Sequence, residues 1–181
     1  MSTDNAQSAA EPTTDNAQSA AEPTTDNARS AEKPTTDNAP RSGAWVNGWF
    51  VVPWQVIFRD IDAFGHVNNA VYLTYFEWAR AQLWFALTGA AGLPTDIGFI
   101  VARAQIDFRL QIEMEPIDIC IRIAEIRNTS FDTVYEIRKR SNGKVAATGT
   151  VVVVLFDWKT QTKMPINDEL RRKVRAFQQE A

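Results

Sequence analysis

The sequence predicts an α+β domain: one long, very apolar helix packed against an antiparallel β-sheet, with a short helix at the C-terminal end. Three observations predict it. Residues 69–88 carry Val71, Leu73, Tyr75, Phe76, Trp78, Leu83, Trp84, Phe85 and Leu87 around most of a helical circumference, and a helix apolar nearly all round must be buried widely. Residues 117–123 read Ile-Asp-Ile-Cys-Ile-Arg-Ile, the strict alternation of a half-buried strand. Asn142-Gly143 separates two strand-like runs, a tight-hairpin signal that implies antiparallel pairing.

The elements follow in order. Residues 49–58 are rich in Val, Trp, Phe and Ile and predict a strand, with Pro53 marking an edge or a bulge. Residues 59–68 are small and polar. The helix then runs from about Asn69 to Thr88, and Gly89 is placed to stop it. After a loop through Gly92, Pro94 and Gly98, strands are expected over 99–111, 117–123, 131–140 and 145–158. The run Val151-Val152-Val153-Val154-Leu155-Phe156 suits a central strand buried on both faces. A last helix spans 168–178, with Asn167 as cap and Asp168 and Glu169 in its first turn.

Ahead of this domain, residues 2–40 repeat an eleven-residue unit. Thr3, Thr14, Thr25 and Thr36 fall in matching positions, and Pro12, Pro23 and Pro34 close the units. An eleven-residue period can mark a supercoiled helix. Here each unit carries a proline and almost nothing apolar to bury, so residues 1–43 are expected to be disordered and residues 44–181 to form the domain.

Charge divides the same way. Residues 1–43 hold seven acids and three bases, which leaves 15 acids and 16 bases in residues 44–181. The domain is close to neutral, which argues against a nucleic-acid binder. Cys120 is the only cysteine and His66 the only histidine, so neither a disulfide framework nor a zinc site is expected. No signal peptide and no membrane span is legible, which makes the cytoplasm the default location and a membrane partner unexpected.

Chemistry is expected at the junction before the long helix. A helix start presents free backbone N–H groups and the positive end of a dipole. Asp62, Gly65, His66, Asn68 and Asn69 all lie there. The stretch Asp62-Ala63-Phe64-Gly65-His66-Val67-Asn68-Asn69-Ala70-Val71-Tyr72, followed by Tyr75-Phe76-Glu77-Trp78-Ala79-Arg80, resembles the signature of hotdog-fold thioesterases. Among these it is most similar to the 4-hydroxybenzoyl-CoA thioesterase-like acyl-CoA thioesterases, with parts shared by YbgC-type enzymes and plant acyl-ACP thioesterases. The resemblance covers roughly residues 48–165.

The resemblance implies an antiparallel sheet of about five strands wrapped around a long central helix. It implies hydrolysis of an acyl-CoA thioester to a free acid and CoA, with Asp62 as nucleophile or general base. The backbone N–H of Asn69 would polarise the thioester carbonyl. Sites would form between subunits of a homodimer or homotetramer, without metal or cofactor. The acyl-ACP branch carries an asparagine two positions after the matching aspartate, where this chain has Phe64; the departure favours acyl-CoA over an acyl-carrier protein.

The physics is consistent. Thioester hydrolysis places negative charge on the carbonyl oxygen, and one backbone donor there is worth on the order of 3–4 kcal/mol. Each residue also has a plainer reading. Asp62 can cap a turn. His66, the third candidate catalytic group, can brace the loop. Asn68 can serve as a helix cap, and Gly65 can leave room for substrate. Val67 and Tyr72 are candidate substrate contacts that also suit a core. Glu77 reads first as an interface anchor, paired with Arg80, and second as a substrate contact. Arg138-Lys139-Arg140 reads first as a solvated strand end and second as a contact for CoA phosphates. The rival functions are a non-catalytic acyl-CoA-binding module of the same fold and an acyl-thioester dehydratase or hydratase.

Overall fold

The computed structural model describes residues 43–89 and 97–179. The repeats expected to be disordered lie outside the described residues. In chain order the elements are β1 (Ala44–Val46), β2 (Trp49–Gln55), a 3-10 turn (Phe58–Asp60), α1 (Val71–Thr88) and β3 (Ile97–Phe108). They continue with β4 (Pro116–Ile126), β5 (Ser130–Lys139), β6 (Val145–Asp157), β7 (Thr162–Lys163) and α2 (Asp168–Gln179). The strands form one antiparallel sheet in the order β1-β2-β4-β5-β6-β3, and β7 pairs with β6.

Seven strands stand where about five were expected. The additions, β1 and β7, are three and two residues long, too short to leave a periodic pattern. Asn47 and Gly48 form a two-residue hairpin between β1 and β2, with φ of 48° and 76°, the left-handed pair that such a turn requires. At Asn142-Gly143 the connection is longer. Gly143 N–H donates to the Lys139 carbonyl (2.8 Å), Lys139 N–H donates to the Lys144 carbonyl (3.0 Å), and Gly143 supplies the left-handed residue (φ 70°).

Pro53 sits beyond the end of β1, where β2 is an edge on that side, as the sequence predicts. The strand ends at Gln55 rather than near residue 58, because the chain turns into the 3-10 segment. β6 lies between β5 and β3. It alternates in burial along its middle and has consecutive buried residues at Ala146–Ala147 and at Val153–Leu155.

α1 lies on one face of the sheet. Its Tyr75, Phe76, Ala79, Leu83 and Leu87 join Ile117, Ile119 and Ile121 of β4, Tyr135 and Ile137 of β5, and Val151 and Val153 of β6 in the core. Phe76 stacks on Tyr135 with ring centroids 4.1 Å apart. Gly149 of β6 makes this approach possible: a methyl group at that position would overlap the Phe76 ring and the Gln105 carbonyl.

Glu77 and Arg80 do not pair, contrary to expectation. Three residues apart, they diverge: Arg80 turns inward to donate to the Tyr135 hydroxyl (3.3 Å) and lies over Phe99, while Glu77 is exposed with no ion pair among the described residues. Gly89 ends α1 in the left-handed conformation, with its N–H on the Phe85 carbonyl (2.9 Å). Asn167 caps α2 through Leu170 N–H (2.8 Å).

Candidate active site

The residues between the 3-10 turn and α1 fold into a loop closed by its own backbone. Ile61 and Val67 form a bridge. Asp62 N–H donates to the His66 carbonyl (2.8 Å), and Gly65 N–H donates to the Asp62 carbonyl (3.0 Å). Val67 N–H reaches the Ile112 carbonyl (2.8 Å), and Asn68 N–H reaches the Asp60 carbonyl (2.9 Å). These bonds satisfy the groups that a buried loop would otherwise strand. Gly65 adopts φ 82°, with open space where a Cβ would stand. The backbone conformation favours glycine here, and the space beside it is open.

Asp62 fills the plainer of its two expected readings and keeps one carboxylate oxygen without a partner. Oδ1 accepts Phe64 N–H (2.8 Å) and, weakly, His66 N–H (3.5 Å), so the carboxylate does cap the turn. Oδ2 accepts no hydrogen bond among the described residues. The link between Asp62 and His66 runs through the His66 backbone; among the described residues the imidazole has no hydrogen-bond partner.

The helix begins two residues later than expected, with Ala70 as N-cap and Val71 as the first helical residue. No side chain caps the helix; Asn68 instead makes a turn just ahead of it. Its Oδ1 accepts Ala70 N–H (2.9 Å) and its carbonyl accepts Val71 N–H (2.9 Å). Asn69 stands just outside the helix, and its N–H has no partner among the described residues. It keeps the free donor expected of a helix start.

A cavity of about 320 Å³ gathers Asp62, His66, Val67, Asn69 and Tyr72. Its other wall is Phe108, Arg109, Leu110 and Gln111, from the end of β3 and the residues after it. Phe108 meets Tyr72 edge-on at 4.9 Å. Burial pushes the Tyr72 hydroxyl above its ordinary range, so it stays protonated near neutrality. Sequence reading missed the 108–111 wall because nothing in those residues ties them to a loop some forty positions away. It also missed Asp60, whose buried carboxylate accepts the Tyr75 hydroxyl (2.8 Å) and Ile57 N–H (3.2 Å).

Three expected contacts do not line this cavity: Gly65, Asn68 and Glu77. Asn68 acts within the loop and does not line the cavity. Glu77 borders a separate cavity of about 280 Å³ with Leu73, Arg80 and Val101. The basic run at the hairpin is neutralised: Arg138 pairs with Glu136 (2.6 Å), Lys139 with Glu115 (2.7 Å) and Arg140 with Asp118 (3.3 Å).

Comparison with known proteins identifies the class. Residues 56–174 match the thioesterase-like superfamily. The long-chain acyl-CoA thioesterase FadM of Escherichia coli is 28% identical over 119 residues, covering 63% of this chain and 88% of that protein. A predicted thioesterase from Bacillus stearothermophilus superposes with a TM-score of 0.64 at 27% identity, covering 71% of this chain and 96% of the other. A Thermus thermophilus thioesterase solved with coenzyme A and Zn superposes with a TM-score of 0.63 at 27% identity, over 73% and 95% of the two chains.

The chain belongs to the thioesterase-like superfamily. It is a thioester hydrolase built on the hotdog fold, with α1 as the helix that the sheet wraps. No described helix is long and apolar enough to cross a membrane.

Proposed function

We propose that this chain hydrolyses acyl-CoA thioesters in the cavity between the Asp62 loop and the end of β3. One observation carries the reading: Asp62, with an unpartnered Oδ2, and Asn69, with an unpartnered backbone N–H, line the same cavity. The coenzyme A complex of the Thermus protein and the acyl-CoA activity of FadM support CoA as the thiol.

The thioester oxygen accepts Asn69 N–H at the positive end of α1. As the carbonyl carbon is attacked, charge moves onto that oxygen, where the donor and the helix dipole stabilise it. By the nucleophilic route Asp62 Oδ2 bonds to the carbonyl carbon, the C–S bond breaks, and CoA leaves as thiolate. Water then cleaves the mixed anhydride, releasing the acid and restoring Asp62. By the general-base route Asp62 takes a proton from water, the resulting hydroxide attacks, and the thiolate collects the proton. Turnover in ¹⁸O-water separates the two: only the first can place label in the Asp62 carboxylate, read by mass spectrometry of its peptide. His66 at the cavity wall is assigned to substrate contact rather than to the base, since its imidazole is not joined to Asp62.

Self-association is part of the same reading. β3 is twelve residues long at the sheet edge, and Val101 and Phe108 on it are exposed. A long unpaired edge of this kind is suited to a second strand. We assign it to a second copy of this chain, giving a homodimer or a larger even assembly. A monomer in sedimentation at micromolar concentration would remove this part of the reading.

The central test is a panel of acyl-CoA substrates with wild type and Asp62→Asn. Wild type is expected to release CoA, and the variant to lose about 10²–10⁴-fold in kcat, with an unchanged melting temperature. Tight binding without turnover by wild type would convert the assignment to a non-catalytic acyl-CoA module. Hydration of an enoyl-CoA in place of thioester cleavage would convert it to a hydratase.

A further inference from the structure

We propose that Asp60, held by Tyr75, is a positioning residue that fixes the oxyanion donor at the mouth of α1; the inference rests on the hydrolase reading above. Asp60 is 8% exposed, and its carboxylate has no cation partner among the described residues. An acid buried in this way is costly unless hydrogen bonds replace its water. Its own N–H donates to the Ile57 carbonyl (2.9 Å), and three further bonds converge on it as acceptor. Oδ2 accepts the Tyr75 hydroxyl (2.8 Å) from the second turn of α1 and Ile57 N–H (3.2 Å) from the end of the strand connection. Its backbone carbonyl accepts Asn68 N–H (2.9 Å).

These bonds join three separate pieces of chain at one point. The Tyr75 bond fixes the helix to the 3-10 turn. The Ile57 bond fixes the turn to β2. The Asn68 bond fixes the residue immediately before Asn69. Asn68 in turn holds the start of the helix, accepting Ala70 N–H on its side chain and Val71 N–H on its carbonyl. The direction of the Asn69 N–H is therefore set by a closed circuit: Asp60 to Asn68, Asn68 to the helix start, and Tyr75 back to Asp60. Burial first, and then the bond to Asp60, raises the Tyr75 hydroxyl above its ordinary range. It therefore remains a donor near neutral pH. Asp60 touches no part of the cavity and takes no part in bond making.

The test uses the full-length protein with Asp60→Ala, Asp60→Asn and Tyr75→Phe. A donor misplaced by about 1 Å costs on the order of 100-fold. Asp60→Ala is expected to lower kcat by about 10- to 100-fold with KM unchanged. Tyr75→Phe is expected to lower it less, and to add nothing further in the Asp60→Ala background. Asp60→Asn retains an acceptor oxygen for both donors and is expected to restore most of the rate.

Rates are taken per folded molecule, well below each melting temperature, so a purely structural role would leave kcat unmoved. Amide exchange supplies a second readout. Asn68 N–H is expected to exchange faster in Asp60→Ala and Tyr75→Phe, while β4 and β5 amides keep their protection. Wild-type kcat in folded Asp60→Ala, or a fall in kcat with Asn68 protection unchanged, would overturn the proposal. If wild type turns over no thioester, the functional reading fails and the exchange of Asn68 alone decides whether the circuit exists.

Discussion

The two ends of α1 each border a cavity of similar size, about 320 Å³ at the N-terminal end and about 270 Å³ at the C-terminal end. At the first, Asn69 has a free N–H, and Asp62, with an unpartnered carboxylate oxygen, lines the same cavity. At the second, α1 closes on Gly89, and the walls are Trp84, Thr88, Leu155, Met164 and Leu170, with Glu169 already paired to Lys173 at 3.1 Å. A helix offers donors and partial positive charge at one end, acceptors and partial negative charge at the other. The start of α2 at Asn167 also faces the second cavity, but there Asn167 already accepts Leu170 N–H. Neither size nor the presence of a helix start separates the two cavities; the free donor and the unpartnered carboxylate oxygen do.

The comparison can be broken most directly at Asn69. Proline there deletes the N–H, and proline is tolerated at a helix start. Asn69→Pro is expected to lower kcat by about 10²–10³-fold, whereas Asn69→Ala, which keeps the N–H, should stay within a few-fold of wild type. Equal losses in both would move the function from the backbone to the side chain. At the opposite end Trp84→Ala is expected to cost roughly 3 kcal/mol of stability in urea unfolding, with kcat per folded molecule unchanged. A selective loss of activity there would make the second cavity part of the site.

A smaller effect sharpens the contrast between site and scaffold. The hydrogen bond from Arg127 holds the Asp132 carboxyl below the usual carboxylate range, against the opposing effect of burial. A depressed folded-state value stabilises the fold above the unfolded value, about 3.9, and that contribution disappears as pH falls through the lower folded value. The stability gap between wild type and Asp132→Asn should therefore be widest near neutrality and close on acidification, with kcat unaffected. Least of all, removing residues 2–40 should leave activity and assembly unchanged, as measured by turnover and sedimentation of the shortened chain.

Much of this was legible before any coordinates. The apolar circumference of residues 69–88 gave the central helix, and the alternation of Ile117 through Ile123 gave β4. The Asp62–Tyr72 signature brought together five residues that do line one cavity. Three features were not legible, for physical reasons. β1 and β7 are shorter than any period. The wall at 108–111 reaches the loop only through sheet topology, by the bond of Val67 N–H to Ile112. Asp60 stands in a run of polar residues, and nothing in its identity separates a buried acid from a solvated one. Arg80 was misjudged because sequence spacing offers Glu77 as a partner, while the fold offers Tyr135.

Gly149 gives α1 a point of support. Because the Phe76 ring occupies the space where a side chain would stand, the helix rests on the sheet there, in its second turn, with a cavity toward either end. A rod tilts about its point of support. A methyl group at Gly149 would lift the helix and swing Asn69 away from Asp62, several residues from the change. Alanine at that one position would thus act as a lever on the active site without touching it.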